Sequence, residues 1–318
     1  MRNLPFDTAL DAFGGTGCVA YLLKAHGKQV TYNDILHSNY LIGVGLIEND
    51  DIRLSDEDVD FLLCARRGIA YPDFIQRTFS SIYFTDEENA WLDTVVTNIH
   101  RLDDSYKQAL AYFALFEACL VKRPFNLFHR RNLYIRTADV PRTFGNKATW
   151  DTPFTVHFRK FVAAGNRAVF ANGRRNRAIN VDATQVQGDY DLVYVDTPYI
   201  ASNGVGVDYL AFYHFLEGLA DYRKWPERVD SSSKHRAFKR RPCDWCDPAR
   251  AAGAFDRLFQ RFSRSILVVS YRADGIPSIP ELTSLLRRYK RRVDIAETSN
   301  YRYVLSTRRS AEVLIIAR

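Results

Sequence analysis

The stretch from Asp7 to Asp34 limits the possible folds more than any other part of the chain. A short apolar run, Asp7 to Phe13, enters Gly14-Gly15-Thr16-Gly17, and Cys18 to His26 then carries Val19, Leu22 and Leu23 at helical spacing before Gly27 as C-cap. A second apolar run, Val30 to Tyr32, ends at Asn33-Asp34. The order is strand, glycine turn, helix, strand, carboxylate. Glycines in such a turn let backbone pass close to a ligand and let the helix start close to the strand. A carboxylate ending the second strand is placed to accept hydrogen bonds from two ribose hydroxyls. Gly15-Thr-Gly17-Cys-Val-Ala20 also fits the G-x-G-x-x-A form of nicotinamide dinucleotide sites. Asp11, just ahead of the glycines, suits a cation such as an α-ammonium and repels a pyrophosphate. The balance therefore favours an amino-acid nucleoside.

Leu192 to Val195 is apolar, β-rich and bounded by carboxylates and a proline, as expected of a buried parallel strand ending at Asp196-Thr197-Pro198-Tyr199. That end lies at the carboxyl edge of the sheet, where open α/β sheets bind ligands. The proline stiffens the turn and fixes Asp196 and Tyr199 relative to one another. Ala178 to Val181 reads as another strand, and Asp182 after it puts a third carboxylate at the same edge as Asp34 and Asp196. Ile266 to Tyr271 is a buried strand. Tyr301 to Ser306 and Glu312 to Ala317, joined through Arg308-Arg309-Ser310, read as a closing hairpin.

Between these strands the pattern changes. His37 to Asn49 reads as a helix, Asp50 to Asp60 as a solvated acidic connection, and Phe61 to Val121 as helical, with Tyr106 to Val121 the clearest buried helix. Tyr112, Phe113 and Phe116 are expected in its core. Charge is distributed unevenly: residues 1–121 hold 9 Lys and Arg against 18 Asp and Glu (−9), residues 122–181 hold 13 against 2 (+11), and residues 182–318 hold 22 against 17 (+5). The middle block, with Lys122-Arg-Pro-Phe-Asn126, His129-Arg130-Arg131, Arg136, Arg142 and Lys147, has the footprint of a phosphate-neutralising surface, and Arg174-Arg175 adds a second cluster. No apolar run reaches membrane-spanning length, and the N-terminus lacks a signal-peptide pattern. Five scattered cysteines suit a reduced cytosolic chain. Cys243-x-x-Cys246, with His235 nearby, has half the spacing of a zinc site but no second pair, so no metal is expected.

The ordered set Asp11-x-Phe13-x-Gly15-x-Gly17, Asp34, Asp182 and Asp196-Thr-Pro198-Tyr199 resembles the Dam-type (class alpha) DNA adenine-N6 methyltransferases over nearly the whole chain, including the Phe144-Gly145 region. The resemblance implies an α/β fold: a Rossmann-like S-adenosylmethionine-dependent sheet from residues 1–50 and 178–318, with a helical, basic target-recognition insertion at 51–177. It implies that Asp11, Phe13, Gly15, Gly17, Asp34 and Asp182 hold S-adenosylmethionine, with Asp11 at the methionine part, Asp34 at the ribose and Asp182 at the adenine. Asp196, the carbonyl beside Pro198 and Tyr199 would then serve a flipped adenine, the first two accepting the amine hydrogens and Tyr199 stacking on the base. Arg130, Arg131, Arg136, Arg142, Lys147, Arg174 and Arg175 would contact double-stranded DNA. A cognate restriction endonuclease as partner and a bacterial, archaeal or phage cytoplasm also follow from the resemblance.

Two departures mark this chain. Thr197 stands where the family carries a proline, and only about ten residues precede the glycine motif, where the family has a longer cofactor-contacting segment. Activity is the expectation most exposed to that difference. A nicotinamide oxidoreductase and a non-catalytic DNA-binding remnant are the alternatives, and RNA and the N4 amine of cytosine stay open as targets.

Overall fold

The computed structural model describes residues 4–124, 127–141, 147–239, 241–301 and 310–318, the side chains of 297–301 and 310 excepted. In chain order its elements are β1 (Thr8–Asp11), α1 (Cys18–Ala25), β2 (Gln29–Asn33), α2 (His37–Gly43, continued by a π-helical turn Val44–Glu48), α3 (Asp56–Leu63), α4 (Phe74–Thr78), α5 (Asp86–Ile99), α6 (Ser105–Val121), α7 (Leu133–Thr137), α8 (Lys147–Asp151), α9 (Phe154–Ala168), β3 (Arg177–Ile179), β4 (Leu192–Val195), α10 (Tyr209–Ala220), α11 (Trp225–Arg228), α12 (Ala251–Arg261), β5 (Ile266–Arg272), α13 (Ile279–Arg287), β6 (Val293–Tyr301) and β7 (Ser310–Ala317). They fall into two compact units, one from Met1–Ile35, Asn172–Asp208 and Arg241–Arg318, the other from Leu36–Ala171 and Tyr209–Arg240.

The first unit is a seven-stranded sheet in the order β3-β2-β1-β4-β5-β7-β6. The first five strands run parallel, and β7 runs antiparallel to both β5 and β6. The direction of winding reverses between β1 and β4. This is the switch point at which such sheets leave a crevice beyond the strand ends. The central strands are apolar without alternation because both faces are covered. Leu10, Val193, Val195, Leu267, Val269 and Ile315 join Phe255, Leu258 and Phe259 of α12 and Leu282 and Leu286 of α13 in one core. Full burial of each such side chain contributes about 1.5–3 kcal/mol.

The closing hairpin forms, and the described part of its first strand, β6, runs from Val293 to Tyr301; the rest of the expected Tyr301 to Ser306 strand lies outside the described residues. β6 pairs Val293 with Ala317 and Ile295 with Ile315. β7 is an interior strand with Val313, Ile315 and Ala317 buried, so it needs a partner along its length, and Val293–Tyr301 supplies it. Residues 302–309, with the expected Arg308-Arg309 turn, lie outside the described residues.

The second unit is helical and takes in two stretches that the sequence boundaries gave to the sheet. One is α2, the other the segment from Tyr209 to Arg240. A buried carboxylate joins them: Glu217 of α10 accepts from the backbone N–H groups of His37 (3.1 Å) and Ser38 (2.9 Å), the open end of α2. The acidic stretch after Asp50 is also more than a connection. Ser55 and Asp58 form a reciprocal capping box, and Asp56, Glu57 and Asp58 favour the positive end of α3. Tyr112 and Phe116 of α6 are buried and Phe113 packs against the same cluster, as their spacing requires.

Glu88 holds much of this unit together. It closes the capping box of α5 with Thr85, and its carboxylate receives Lys122 (2.8 Å) and both Nη atoms of Arg136 (2.9 and 2.7 Å). Lys122 and Arg136 are both buried. Burial raises the Glu88 carboxyl, but the Arg136 and Lys122 cations outweigh it and hold the pKa below its usual value. Its contribution is therefore present above the unfolded carboxylate pKa and is lost as pH falls through the lower folded value. Glu88→Gln keeps the shape and leaves two buried cations without a counter-charge. The expected loss is about 3–5 kcal/mol at pH 7 by urea unfolding; a loss below about 1 kcal/mol would show the network to be dispensable.

Candidate active site at the carboxyl edge of the sheet

β1 and β4 are neighbours, with Asp11 opposite Tyr194, so the carboxylates that end them, Asp11 and Asp196, emerge side by side at the switch point. Asp34 follows β2 on the other side of β1. The topology thus gathers three of the predicted carboxylates at one edge. Asp182, three residues beyond β3, caps its own turn: Oδ1 accepts from Thr184 N at 2.8 Å and starts a short 3₁₀ segment.

The glycine turn is built around these acids. Gly15 and Gly17 adopt φ of +52° and +79°, and a Cβ on Gly14 would fall 2.0 Å from the Tyr32 ring. Asp34 Oδ2 accepts from Gly15 N (2.8 Å), Tyr32 Oη donates to Gly15 O (2.7 Å), and Asp11 Oδ2 accepts from Ala20 N (3.2 Å) in the first turn of α1. Two N–H groups of this turn and helix start, of Gly15 and Ala20, already face the chain's own carboxylates, where a dinucleotide pyrophosphate would need free donors. That disfavours the nicotinamide alternative. Asp11 Oδ1 is buried and has no hydrogen-bond partner. An orphaned, buried carboxylate oxygen at the glycine turn fits a cationic α-ammonium. Phe13 meets the edge of Trp245 at 4.9 Å between ring centroids.

Asp11 and Asp196 both titrate high. Burial raises Asp11 to about 7, aided by the nearby charges of Asp196 and Asp34 and opposed by the Ala20 N–H. Burial raises Asp196 to about 6; hydrogen bonds from Tyr199 and Tyr194 pull it down and the charge of Glu312 pushes it up. Tyr199 donates its hydroxyl to Asp196 Oδ1, while its ring is buried and meets Tyr271 edge-on at 5.5 Å. Its hydroxyl contact with the acid is a feature the sequence did not suggest. Thr197 is buried and its hydroxyl has no partner.

Several contributors were not foreseen. Asn33 donates to Ala12 O (2.9 Å) and accepts from Val181 N (3.2 Å), joining the ends of β1, β2 and β3, and its only sequence signal was its place beside Asp34. Glu312 reaches the site because β7 pairs with β5; it accepts from Ser270 Oγ at 2.6 Å. Nothing local in the sequence marks it.

The basic block is less superficial than its charge suggests. Lys122, Arg123 and Arg136 are buried, Arg123 lying between the Tyr83 and Phe128 rings at 4.1 and 4.2 Å. Arg136, expected to contact DNA, is committed to Glu88 and leaves the set of phosphate contacts, because a buried, bidentate guanidinium offers nothing to solvent. Arg130, Arg131 and Lys147 reach solvent, Lys147 beside Asp151 at 3.0 Å. Arg174 and Arg175 are exposed too, but they belong to the sheet unit. Arg142 and the Phe144-Gly145 region, like Phe125 and Asn126, lie outside the described residues.

The family described as D12 class N6 adenine-specific DNA methyltransferase matches residues 2–238. The chain is 30% identical over 307 residues to the type II methyltransferase M2.HphI of Haemophilus parahaemolyticus, covering 93% of this chain and 86% of that protein. It is 25% identical over 297 residues to M.FokI of Planomicrobium okeanokoites and 29% identical over 297 residues to the modification methylase StsI of Streptococcus sanguinis; each match covers 88% of this chain and 42% of the relative.

A raised carboxyl pKa means that the folded state binds more protons than the unfolded one between about pH 4 and 7, so stability falls as pH rises across that window. Asp11→Asn removes this burden. The variant is expected to be more stable than the parent at pH 8, by about 1.4 kcal/mol for each pKa unit relieved, with a flatter slope from about pH 4 to 7. Equal slopes in urea unfolding series would contradict the buried, proton-binding Asp11.

Proposed function

The chain belongs to the D12 class N6 adenine-specific DNA methyltransferase family, and from that premise we propose that it methylates the N6 amine of a flipped adenine in double-stranded DNA with S-adenosylmethionine as donor. The observation that carries the site assignment is the burial of Asp11 and Asp196 side by side at the switch point of the sheet.

When bound, S-adenosylmethionine supplies an electrophilic methyl on a sulfonium. Asp11 binds its ammonium through the orphaned Oδ1, Gly15 and Gly17 let the backbone turn close to it, Phe13 packs beside it, and Asp34 and Asp182 serve its ribose and adenine. A base inside a duplex is out of reach, so the target nucleotide is extruded into the pocket. An exocyclic adenine amine is a poor nucleophile because its lone pair is delocalised into the ring. Asp196 accepts one amine hydrogen, and the carbonyl beside Pro198 accepts the other, which favours the tetrahedral nitrogen that attacks. With a pKa of about 6, Asp196 is mostly a carboxylate at neutral pH, and it is basic enough to take the proton the methylated nitrogen releases. In this reading the arriving amine takes the place of the Tyr199 hydroxyl on Oδ1, and the tyrosine ring then stacks on the base.

Arg130, Arg131, Arg142, Lys147, Arg174 and Arg175 are proposed phosphate contacts. Among the described residues no helix is long and apolar enough to cross a membrane. The relatives named as type II and modification methylases support a place beside a restriction endonuclease in the cytoplasm.

Transfer of labelled methyl to mixed-sequence duplex DNA, followed by nucleoside digestion, tests the reaction. N6-methyladenine is the expected product, and Asp196→Ala should lower the rate by about three orders of magnitude. For the parent, kcat should fall about tenfold per pH unit below pH 6 as Asp196 protonates. N4-methylcytosine as sole product, or an unaffected Asp196→Ala enzyme, would overturn the assignment. For DNA binding, the Arg130→Ala, Arg131→Ala double variant should reduce the slope of log affinity against log salt by about 2, and an unchanged slope would remove both from the interface.

A further inference from the structure

Cys243 and Cys246 lie on a single 3₁₀ turn, Asp244–Cys246, in the sheet unit. Their Sγ atoms are 2.9 Å apart, and Cys246 N donates to Cys243 O at 3.2 Å, so the backbone already holds the two sulfurs together. Both thiols are half-buried, whereas Cys18 and Cys64 are exposed and Cys119 is buried. The half zinc site suggested by the spacing is not completed: among the described residues no group of three or more His, Cys, Asp and Glu can hold a metal ion. His235 belongs to the other unit, where its Nδ1 lies 3.3 Å from Ser233 Oγ. The pair therefore has a spacing in need of another explanation.

The surroundings of the turn are specific. Asp244 pairs with Arg250 (3.0 Å) and Arg257 (2.8 Å), which fixes the turn against the start of α12. Trp245, between the cysteines, is buried and packs edge-on against Phe13 at 4.9 Å and Phe255 at 5.3 Å. On the other side Cys246 Sγ donates to Val207 O at 3.4 Å, and a Cβ on Gly206 would fall 2.3 Å from Cys246 O. Val207 N in turn donates to Tyr199 O at 3.0 Å. The turn touches both the glycine motif and the segment that follows Asp196.

We propose that Cys243 and Cys246 form a reactive dithiol site that exchanges with low-molecular-weight disulfides, closing reversibly into an intrachain disulfide across Trp245. The Cys243 thiolate attacks one sulfur of the small disulfide, forms a mixed disulfide and expels one small thiolate. Cys246 then attacks Cys243 Sγ, forms the Cys243–Cys246 bond and expels the second. The two cysteines lose two electrons and two protons, and the small disulfide is reduced to two thiols. Cys243 is the attacking group because Cys246 is the sulfur whose S–H is engaged by a backbone carbonyl, Val207 O, and so stays the thiol; the close contact of the two sulfurs lowers the Cys243 pKa to about 7 and, with burial, pushes Cys246 up. This site does not depend on the methyl-transfer reading, since it rests on the turn alone.

The test uses the full chain in a series of reduced and oxidised glutathione, quenched in acid, alkylated with N-ethylmaleimide and mapped by mass spectrometry. The expected result is a peptide containing Cys243 and Cys246 that loses two hydrogens and both alkylation sites as the oxidised fraction rises, and regains them on reduction. Cys246→Ser should trap glutathione on residue 243 at least tenfold more than Cys243→Ser traps it on residue 246. Full alkylation of both cysteines at the highest oxidised fraction, glutathione confined to Cys18 or Cys64, or equal trapping in the two variants would each overturn the proposal. A stoichiometric zinc ion released from the purified chain on thiol alkylation would overturn it as well. The readout is sulfur chemistry, so a chain inactive towards DNA still answers the question.

Discussion

The mutual burial of Asp11 and Asp196 governs the sheet unit. Parallel pairing of β1 with β4 brings two acids to adjacent strand ends, and the low polarity there costs free energy whenever both are ionised. Partial relief comes from donors drawn from nearby backbone and rings: the Ala20 N–H for one, the Tyr199 and Tyr194 hydroxyls for the other. What remains unrelieved is the free oxygen of Asp11, and a bound cation would remove that conflict. The glycine turn, the edge-to-face pair of Phe13 and Trp245, and the start of α1 are all grouped around those carboxylates.

The helical unit solves a similar problem with opposite sign. Lys122 and Arg136 are held inside by one carboxylate, Glu88, and Arg123 by the faces of two aromatic rings. Three of the twelve described cations of residues 122–181 are therefore taken up by internal packing. The other nine, Arg130, Arg131, Lys147, Arg159, Lys160, Arg167, Arg174, Arg175 and Arg177, reach solvent. Net charge counted along a sequence thus overstates the charge a partner meets.

What the sequence made legible was local. The glycine turn, β4 with its terminal acid, and α6 with its buried Tyr112 and Phe116 were readable because each is a short run whose spacing matches one secondary structure. What stayed hidden depends on pairing between distant segments. Glu312 approaches Asp196 only through the antiparallel registry of β7 on β5, β6 begins at Val293 only because β7 is interior, and Arg136 is buried only because Glu88 lies 48 residues earlier in the chain. The side-chain hydroxyl of Tyr199 on Asp196 was hidden for another reason: sequence gives the position of a ring but not which way it turns.

The discontinuity of the sheet unit has a consequence for how the chain reaches its structure. Thr8 pairs with Gln29 nearby, but Ala9 pairs with Leu192, so β1 gains its second neighbour only after the whole of Leu36–Ala171 has been made. Closing a loop of that length is slow because the entropy is lost before any contact offsets it. The helical segments, whose contacts are closer in sequence, can begin to collapse on the ribosome while β1 and β2 wait with two unpaired edges. During synthesis β1 thus keeps one edge unpaired until β4 has been made, and the amino-terminal pair of strands is the stretch for which a chaperone has most to protect.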